Sequence, residues 1–463
     1  MNVATLPDPL AMASRSSSEE YRPAVSQPDV SLSSEKLFSS YETKALSASR
    51  IASTRLPDIM QHDQNKQVVN ASHPAIFIGY IQEGEESSAK LSITNLVDPD
   101  VHPCPSFDFS YTDGYVLTDT LDKPSRRVND TTQIPRGCRC NNDSGVCNPR
   151  TCSCYALHEH LAPNPWVELT KDNSNAKHPS DLRGQFAYED GRLRQELILM
   201  PRAPIWECNS YCGCTGDCRN RVVQKGRTAS LDIFKAAEFS KGWGIRAKQK
   251  IKAGSFITVY AGELLSYEES ERRNARYDEI STTYMLDIDL YHIKRKLIFE
   301  PYVSEQKKEG IVLDEEDEEV QLEAENWATE TDTALLYSVD AGLWGNISRY
   351  FNHSCDPNME IYPVYTEERD IRRPFLAFFA KFDIQEGVEL TFAYDGRLPD
   401  DVEPATANLS NEDIRAVAKE HLQSRDLGTE ITLKTSDGKH NLTSMKCGCG
   451  AAKCRGTVFL RGD

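Results

Sequence analysis

The spacing of cysteines is the feature that most limits how this chain can fold. Nine of its fourteen cysteines form two runs on either side of residues 155–207: Cys138, Cys140, Cys147, Cys152, Cys154, Cys208, Cys212, Cys214 and Cys218. Nine thiolates cannot complete separate tetrahedral sites, but if three of them bridge, they fill the twelve ligand positions that three zinc ions require. We therefore predict a triangular three-zinc cluster that holds together a segment with little apolar core.

The composition favours metal binding over disulfide pairing. No apolar run approaches the roughly 18 residues of a membrane span, and the N-terminus shows no basic-then-apolar signal peptide, so we expect an intracellular protein. In that reducing compartment cysteines bind metals more often than they pair, and an odd count with repeated C-x-C steps suits a disulfide framework poorly. A zinc-based DNA-binding domain fits no better, because a basic recognition helix is missing and the net charge is −18.

The tail holds three further cysteines, in C-x-C-x4-C spacing, that lack one ligand for a tetrahedral zinc: Cys447, Cys449 and Cys454. Cys355, in the segment Arg-Tyr-Phe-Asn-His-Ser-Cys-Asp-Pro-Asn at 349–358, would supply that fourth ligand. We therefore expect the tail to fold back onto this segment and to form one wall of a site. Asn352 and His353 can each donate and accept hydrogen bonds there, which suits them to hold a polar cofactor.

The charge also limits the partners. A chain with a net charge of −18 is a poor electrostatic match for nucleic-acid phosphates and a good match for a Lys/Arg-rich peptide tail, although solubility alone is an alternative explanation. We divide the chain into a disordered Ser-rich arm (1–72), an N-terminal extended segment packed on the core (73–135), the nine-cysteine unit (136–226), a catalytic segment (227–396) with an acidic insertion (305–332), a second insertion (397–445) and the closing zinc segment (446–463).

Local patterns predict the elements of these segments. Apolar runs predict strands at 74–80 and 255–260, and alternation predicts another at 283–289. Ser266 and Glu269 form a capping box that begins a helix, and Ser410 begins another at 411–424. We expect residues 155–207 to be largely loop and the acidic residues 305–332 to be solvated chain. Cys104 is expected to be a buried thiol. The runs 375–380 and 388–394 resemble a hairpin, whose second strand places Val388, Leu390, Phe392 and Tyr394 on one face.

Five motifs occur in order after the nine-cysteine unit: Lys241-Gly-Trp-Gly, Tyr260-Ala-Gly-Glu, Asn352-His-Ser-Cys, Glu389-Leu-Thr-Phe-Ala-Tyr and the C-x-C-x4-C tail. Over residues 93–460 the chain thereby resembles the SET-domain protein lysine methyltransferases, most closely the Suppressor-of-variegation 3-9 group, which methylates lysine 9 of histone H3. The resemblance implies a mostly β fold with short helices, in which a SET-domain β-clip or pseudoknot core is flanked by zinc-binding pre-SET and post-SET segments. It also implies S-adenosylmethionine as cofactor, with three zinc ions in the first segment and one in the last.

The resemblance assigns roles position by position. It places these residues at the cofactor: Lys241, Gly242, Trp243, Gly244, Tyr284, Arg349, Asn352, His353 and Phe459. Tyr260 and Tyr394 would be the catalytic tyrosines, and Asp289 and Phe392 would contact the substrate. The chain departs from the family pattern at Ala393, where Asp is frequent, and at Phe459, where Trp is common.

The chemistry also follows from the residues. A lysine amine must lose its proton before it attacks a methyl group, and free lysine has a pKa of about 10.4. A neighbouring sulfonium and an apolar channel both disfavour the ammonium form, so tyrosine hydroxyls need only orient the amine. Phe392 lacks the hydroxyl, and the water bound to it, that a tyrosine would place in the channel. This leaves room for repeated methyl transfer, so we predict a trimethylated product.

The implied partners are the histone H3 tail and chromatin-associated recruitment factors, with no sequence-specific nucleic-acid binding and no membrane. A location in the nucleus and on the chromosome follows, with a role in heterochromatin formation and gene silencing. Two alternatives stay open: a methyltransferase for another histone lysine or a non-histone protein, and a catalytically weak chromatin-binding scaffold. We also hypothesise that Lys434 or Lys439, tethered near the channel, enters it as a self-substrate or plug.

Overall fold

The computed structural model describes residues 66–85, 89–106, 109–117, 137–140, 145–161, 184–198, 203–236, 242–280, 284–288, 298–311, 313, 320, 323–324, 327, 337–367, 370–394, 430–434, 441–452, 454 and 457–462. The helices are α1 (Lys66–Glu85), α2 (Ser153–Leu161), α3 (Gln195–Ile198), α4 (Tyr267–Ile280) and α5 (Glu300–Lys308), with 3-10 turns at Val223–Lys225 and Ile347–Tyr350. The strands are β1 (Leu91–Thr94), β2 (Ser110–Tyr111), β3 (Tyr115–Leu117), β4 (Tyr188–Glu189), β5 (Arg192–Leu193), β6 (Ile205–Trp206), β7 (Leu231–Lys235), β8 (Trp243–Ala247), β9 (Phe256–Val259), β10 (Gly262–Ser266), β11 (Met285–Asp287), β12 (Tyr337–Asp340), β13 (Trp344–Gly345), β14 (Asn352–His353), β15 (Met359–Tyr365), β16 (Phe375–Ala380), β17 (Thr391–Phe392), β18 (Glu430–Lys434), β19 (Asn441–Lys446) and β20 (Thr457–Gly462).

The mostly β fold with short helices is confirmed. Strands pair in the orders β6-β15-β16-β9, β11-β12-β10-β3, β1-β7-β8, β18-β19-β20, β14-β17, β13-β2 and β4-β5. Every residue of β16 and of β9 is buried, as expected of continuous apolar runs covered on both faces. Among the described residues, no helix combines the length and the apolar character that crossing a membrane requires.

The N-terminal segment is part of these sheets. β1 pairs in parallel with β7, and β3 pairs in parallel with β10, so residues from the extended segment complete two sheets of the catalytic part. Cys104, between these strands, is a free buried thiol, and burial raises its pKa to about 11. That prediction is confirmed. α4 begins directly after Ser266, whose Oγ accepts from the Glu269 amide over 3.4 Å, whereas the Glu269 carboxylate accepts from Arg272 and Arg273, so one half of the predicted capping box is observed.

The strand predicted at 74–80 is wrong, because these residues belong to α1, which also takes in residues 66–72. Phe77 and Ile81, four residues apart, are both fully buried, and the Phe77 ring lies 6.3 Å from that of Phe109. A short apolar run fits a helix face as well as a buried strand, so periodicity alone could not separate the two.

The predicted hairpin of 375–380 with 388–394 is also wrong. β16 pairs with β15 and β9, whereas β17 pairs in parallel with β14, with Asn352 opposite Thr391 and His353 opposite Phe392. Because the Asn-His motif and the end of the catalytic segment pair directly, they lie side by side although they are distant in the sequence.

Two segments predicted to lack structure contain elements. Within 155–207 the structure has most of α2, the β4–β5 hairpin, α3 and β6, so a loop was the wrong prediction. Within 305–332 the chain continues α5 and buries Val320 and Ala324 against the core, which corrects the prediction of fully solvated chain. The predicted helix at 411–424, the acidic centre at 314–319 and residues 1–65 lie outside the described residues.

Candidate active site

The nine-cysteine unit gathers its sulfur atoms into one largely buried cluster. Sγ atoms of Cys138 and Cys147 lie 3.6 Å apart, those of Cys147 and Cys208 3.8 Å, and those of Cys154 and Cys212 3.5 Å. Tetrahedral zinc with Zn–S bonds of about 2.3 Å places its sulfurs about 3.8 Å apart, so the donor set and its spacing fit zinc. Within the described part of the chain, three groups of four Sγ atoms, each within 4.8 Å, overlap: Cys138 belongs to all three, and Cys147, Cys152 and Cys208 each belong to two.

The tail returns to Cys355. Its Sγ lies 3.7 Å from that of Cys447 and 4.0 Å from that of Cys454, and all four sulfurs, with Cys449, lie within 4.8 Å of one another. A tetrahedral zinc site fits this group by the same spacing. The structure therefore brings the three tail cysteines to Cys355, the fourth predicted ligand, which lies more than ninety positions before them in the sequence.

His353 connects this group to the catalytic segment. Its Nε2 lies 3.4 Å from Cys355 Sγ, while its Nδ1 accepts a hydrogen bond of 3.2 Å from the Tyr394 amide. The His353 and Tyr394 rings meet edge to face at 5.4 Å. The position of Tyr394 thus depends on a residue that also contacts the sulfur group of the tail.

The two predicted catalytic tyrosines converge on one aromatic cluster. The Tyr260 hydroxyl donates to the Tyr284 carbonyl over 2.6 Å, and the Tyr394 hydroxyl donates to the Phe351 carbonyl over 2.7 Å. Phe392 lies between them in the cluster, with its ring 4.9 Å from that of Tyr394. Burial raises the pKa of Tyr260 well above its usual value. The pKa of Tyr394 is also raised, because its hydroxyl is desolvated against the Phe351 carbonyl although 42% of the residue is exposed. Both hydroxyls are therefore neutral across the physiological pH range and act as hydrogen-bonding groups.

The glycine-rich motif provides an open backbone. Gly242 has a φ of +60°, a left-handed conformation that glycine adopts without strain, and an added Cβ there would meet no atom within 4 Å. Asn352 Nδ2 donates to the carbonyl of the neighbouring Trp243 over 3.3 Å. Gly242, Trp243 and Asn352 thus line one side of a space that a ligand can approach. Lys241 lies outside the described residues.

Arg349 is held by stacking. Its guanidinium lies 4.7 Å from the Tyr284 ring and 4.1 Å from the Phe109 ring, and its Nη2 donates to the Gly342 carbonyl over 3.2 Å. No sequence motif assigned a role to Phe109, whose only signal was the apolar character of the extended arm. The structure adds it as a residue that orients a predicted cofactor contact.

Several other predicted positions lie wholly or partly outside the described residues. Asp289 is one of them. Two residues before it, Asp287 is described and accepts a hydrogen bond of 2.6 Å from Ser338 Oγ. Phe459 belongs to β20, and its side chain lies outside the described part. Lys434 ends β18 opposite Asn441, whereas Lys439 is not among the described residues, so the self-substrate hypothesis stays a prediction.

Comparison with known families supports the assignment of these motifs. The model of the SET domain matches residues 242–395, and the model of the Pre-SET motif matches residues 82–221. A histone-lysine N-methyltransferase, H3 lysine-9 specific, from Cryptococcus neoformans var. grubii is 35% identical over 408 residues, which are 85% of this chain and 20% of the relative. Its counterpart in Schizosaccharomyces pombe is 30% identical over 378 residues, 81% of this chain and 56% of the relative. This chain therefore spans a fifth of the first relative and little more than half of the second.

A solved structure is also similar. The Neurospora SET domain protein DIM-5, a histone lysine methyltransferase, is 26% identical and covers 68% of this chain, with 99% of its own chain matched and a TM-score of 0.45.

Proposed function

We propose that this chain, which matches the SET domain over residues 242–395 and the Pre-SET motif over residues 82–221, is a protein lysine methyltransferase of the Suppressor-of-variegation 3-9 group. It would transfer methyl groups from S-adenosylmethionine to lysine 9 of histone H3. The observation that carries the proposal is that Tyr260 and Tyr394 meet one aromatic cluster through Phe378 and Phe392, with Asn352 on the strand paired with Phe392. The names of the fungal relatives, both H3 lysine-9 specific, support the choice of target.

The residues at the site suit the chemistry of the cofactor. S-adenosylmethionine, when bound, would supply a methyl group on a positively charged sulfur. Gly242 and Trp243 would line its binding site, and Asn352 would contribute a polar contact. Arg349 would bring a guanidinium, the group that pairs most readily with a carboxylate such as the one S-adenosylmethionine carries.

The tyrosines would orient the amine rather than remove its proton. Because the pKa of Tyr260 and of Tyr394 is raised, neither side chain is an anionic base near neutral pH. A neutral hydroxyl can still accept or donate a hydrogen bond and so align the lysine nitrogen with the reacting carbon. The surrounding rings of Phe351, Phe378 and Phe392 keep the channel apolar, which disfavours the ammonium form of the incoming lysine.

The zinc ions would be structural. Three ions in the nine-cysteine cluster would hold the pre-SET segment, and one at Cys355 with the tail cysteines would fix the wall of the site beside His353. No described side chain other than a cysteine is needed to complete these sites, which leaves no open position for a substrate.

Phe392 would set the product. Its ring is almost wholly buried and packs between Phe378 and Tyr394, so no hydroxyl of its own occupies this side of the channel. We expect room for a di- or monomethylated amine to turn and react again, which gives trimethyl-lysine.

The partner would be the basic H3 tail, which suits a chain with a net charge of −18. The protein would then act in the nucleus on chromosomes, in heterochromatin formation and gene silencing, together with recruitment factors. Direct sequence-specific contact with DNA is not part of the proposal, because the charge opposes it.

A peptide array tests the function and its alternatives. Histone-tail peptides, each with one lysine replaced by arginine, are incubated with labelled S-adenosylmethionine and the purified chain. We expect incorporation to be lost only when lysine 9 of H3 is replaced. Incorporation that depends on a different lysine would establish the alternative target, and binding of the peptides without any transfer would establish the chromatin-binding scaffold.

A further inference from the structure

Glu389 lies where three separate motifs meet, and none of the roles above uses its side chain. Its Oε1 accepts a hydrogen bond of 2.8 Å from Nδ2 of Asn352, the same nitrogen that donates to the Trp243 carbonyl. An added Cβ at Gly244 would come within 2.8 Å of Glu389 Oε1 and 2.9 Å of Asn352 Nδ2. A glycine at this position therefore leaves the space in which the carboxylate and the amide meet.

The two acceptors determine which way the Asn352 amide faces. A carboxylate and a backbone carbonyl accept hydrogen bonds from the amide nitrogen, so turning the amide by half a rotation would set Oδ1 against two acceptors. Both hydrogens of Nδ2 are thus committed inside the protein. Within the described part of the chain Asn352 Oδ1 accepts no hydrogen bond, so an acceptor is what this side chain presents to a ligand.

Hydrogen bonds hold the backbone around Glu389 in place, and this fixes the position from which its carboxylate extends. The Asn358 side chain donates to the Glu389 carbonyl over 2.7 Å and accepts from the Thr391 amide over 2.9 Å. The next residue, Leu390, is fully buried and its amide donates to the Ile245 carbonyl over 2.7 Å. These contacts anchor Glu389 between β8 and β17, beside the glycine-rich motif and beside β14.

We propose that Glu389 is a positioning residue for the methyl donor: it holds the Asn352 amide so that Oδ1 accepts a hydrogen bond from an N–H group of the cofactor. The proposal rests on the proposed function, because it takes the cofactor to be S-adenosylmethionine, whose ammonium and amino groups are such donors. A ligand that presents only acceptors at this position is rejected, since it would face Oδ1 without a hydrogen.

The first test compares cofactor binding with turnover. Glu389→Ala releases the amide of Asn352, and Glu389→Gln keeps a carbonyl oxygen that can accept from Nδ2. We expect Glu389→Ala to raise the Kd and the KM for S-adenosylmethionine about tenfold, as for the loss of one charge-assisted hydrogen bond, with kcat at saturating cofactor within about twofold of wild type. Glu389→Gln is expected to stay within about threefold on all measures. Glu386→Ala, which removes an exposed carboxylate from the preceding turn, is the matched control and should change nothing.

An exchange of the two partners tests the orientation itself. Asn352→Asp sets its carboxylate against that of Glu389 and against the Trp243 carbonyl, and should weaken binding at least tenfold more than Glu389→Ala does. In the double variant N352D/E389Q the new amide at position 389 donates to the new carboxylate at position 352, and an acceptor oxygen still faces the cofactor. The 3.3 Å contact with the Trp243 carbonyl is not restored, so the recovery is expected to be partial. We expect the double variant to bind S-adenosylmethionine at least tenfold more tightly than Asn352→Asp alone, which a loss of general folding would not produce.

The outcomes separate this inference from the proposed function. Unchanged cofactor binding by Glu389→Ala, or no recovery in the double variant, would overturn the positioning role while wild-type methyl transfer still stands. Tight binding of S-adenosylmethionine by the wild type without transfer to histone peptides would overturn the proposed function, and the binding comparison of the variants would still decide the role of Glu389.

Discussion

The buried ion pair of Glu85 and Arg227 should hold the N-terminal helix α1 against the catalytic part. Arg227 Nε donates to Glu85 Oε1 over 2.6 Å, and a second bond joins its Nη2 to Oε2. The side chains of Arg227 and Glu85 expose only 1% and 6% of their surface, and Arg227 also donates to the Ala229 carbonyl. Glu85→Ala therefore removes the carboxylate that accepts two hydrogen bonds from this buried guanidinium.

The size of the effect follows from the burial. Removal of one partner from a buried, bidentate pair costs about 3–5 kcal/mol, whereas an exposed pair contributes about 1 kcal/mol or less. Among the described side chains of α1, only Phe77 and Ile81 are fully buried, so most of that cost should appear as easier local opening of α1. A change of about 3 kcal/mol corresponds to a little over a hundredfold in the opening equilibrium.

Hydrogen exchange followed by mass spectrometry measures the opening of α1 directly. Peptides from residues 74–85 of Glu85→Ala should exchange about a hundredfold faster than in wild type, while peptides from β16 should be unchanged. Glu305→Ala, which removes an exposed pair with Lys308, is the control and should alter α1 by less than threefold. Exchange in α1 that is unaffected by Glu85→Ala would refute the view that this pair fixes the helix.

Three further predictions concern the site and the core. Phe392→Tyr should shift the product from trimethyl- to mono- and dimethyl-lysine in mass spectra of the H3 peptide, because a hydroxyl and its water would fill the channel; a mostly trimethylated product would contradict this. Tyr394→Phe should lower kcat by about a hundredfold or more and leave the Kd for S-adenosylmethionine within about threefold in calorimetry, because its hydroxyl aligns the amine rather than the cofactor; an equal loss in both would assign it to cofactor binding. The ion pair with Arg272, and then that with Arg273, lowers the pKa of Glu269 to about 2 from its ordinary 4.5, so its contribution to stability is present above pH 4.5 and is lost as the pH falls toward 2. Glu269→Gln should therefore flatten the dependence of the melting temperature on pH between about pH 5 and pH 3. An unchanged slope would show that Glu269 does not contribute to this pH dependence.

The sequence predicted the parts of the site that depend on chemical identity. Tetrahedral zinc needs four ligands, so three tail cysteines and one isolated cysteine had to meet, and their sulfurs do lie together. Ser266 marks the start of α4 as predicted, because the capping pattern is local: its Oγ accepts from the Glu269 amide. The cofactor and substrate roles of individual side chains, and the segment boundaries, stay predictions.

The wrong predictions concern choices that local patterns do not decide. The run at 74–80 suits a helix or a strand, and its burial against Phe109 determines the outcome. β17 has only two residues, so its partner depends on the path of the chain through the core rather than on its own sequence. The stacking of Arg349 on Phe109 likewise joins residues from distant segments, and neither residue alone indicates it.

The central claim is that the tail cysteines join Cys355 around one metal ion and thereby build the wall beside which the lysine amine reacts. Native mass spectrometry of purified Cys447→Ser, together with its rate of methyl transfer to an H3 peptide, tests this most directly, with Cys104→Ala as the control for loss of a buried thiol. We predict that Cys447→Ser retains three zinc ions and loses the fourth, and that its rate falls at least a hundredfold while the control keeps four ions and the wild-type rate. A variant that has lost the fourth zinc ion and still methylates the peptide at the wild-type rate would contradict the account.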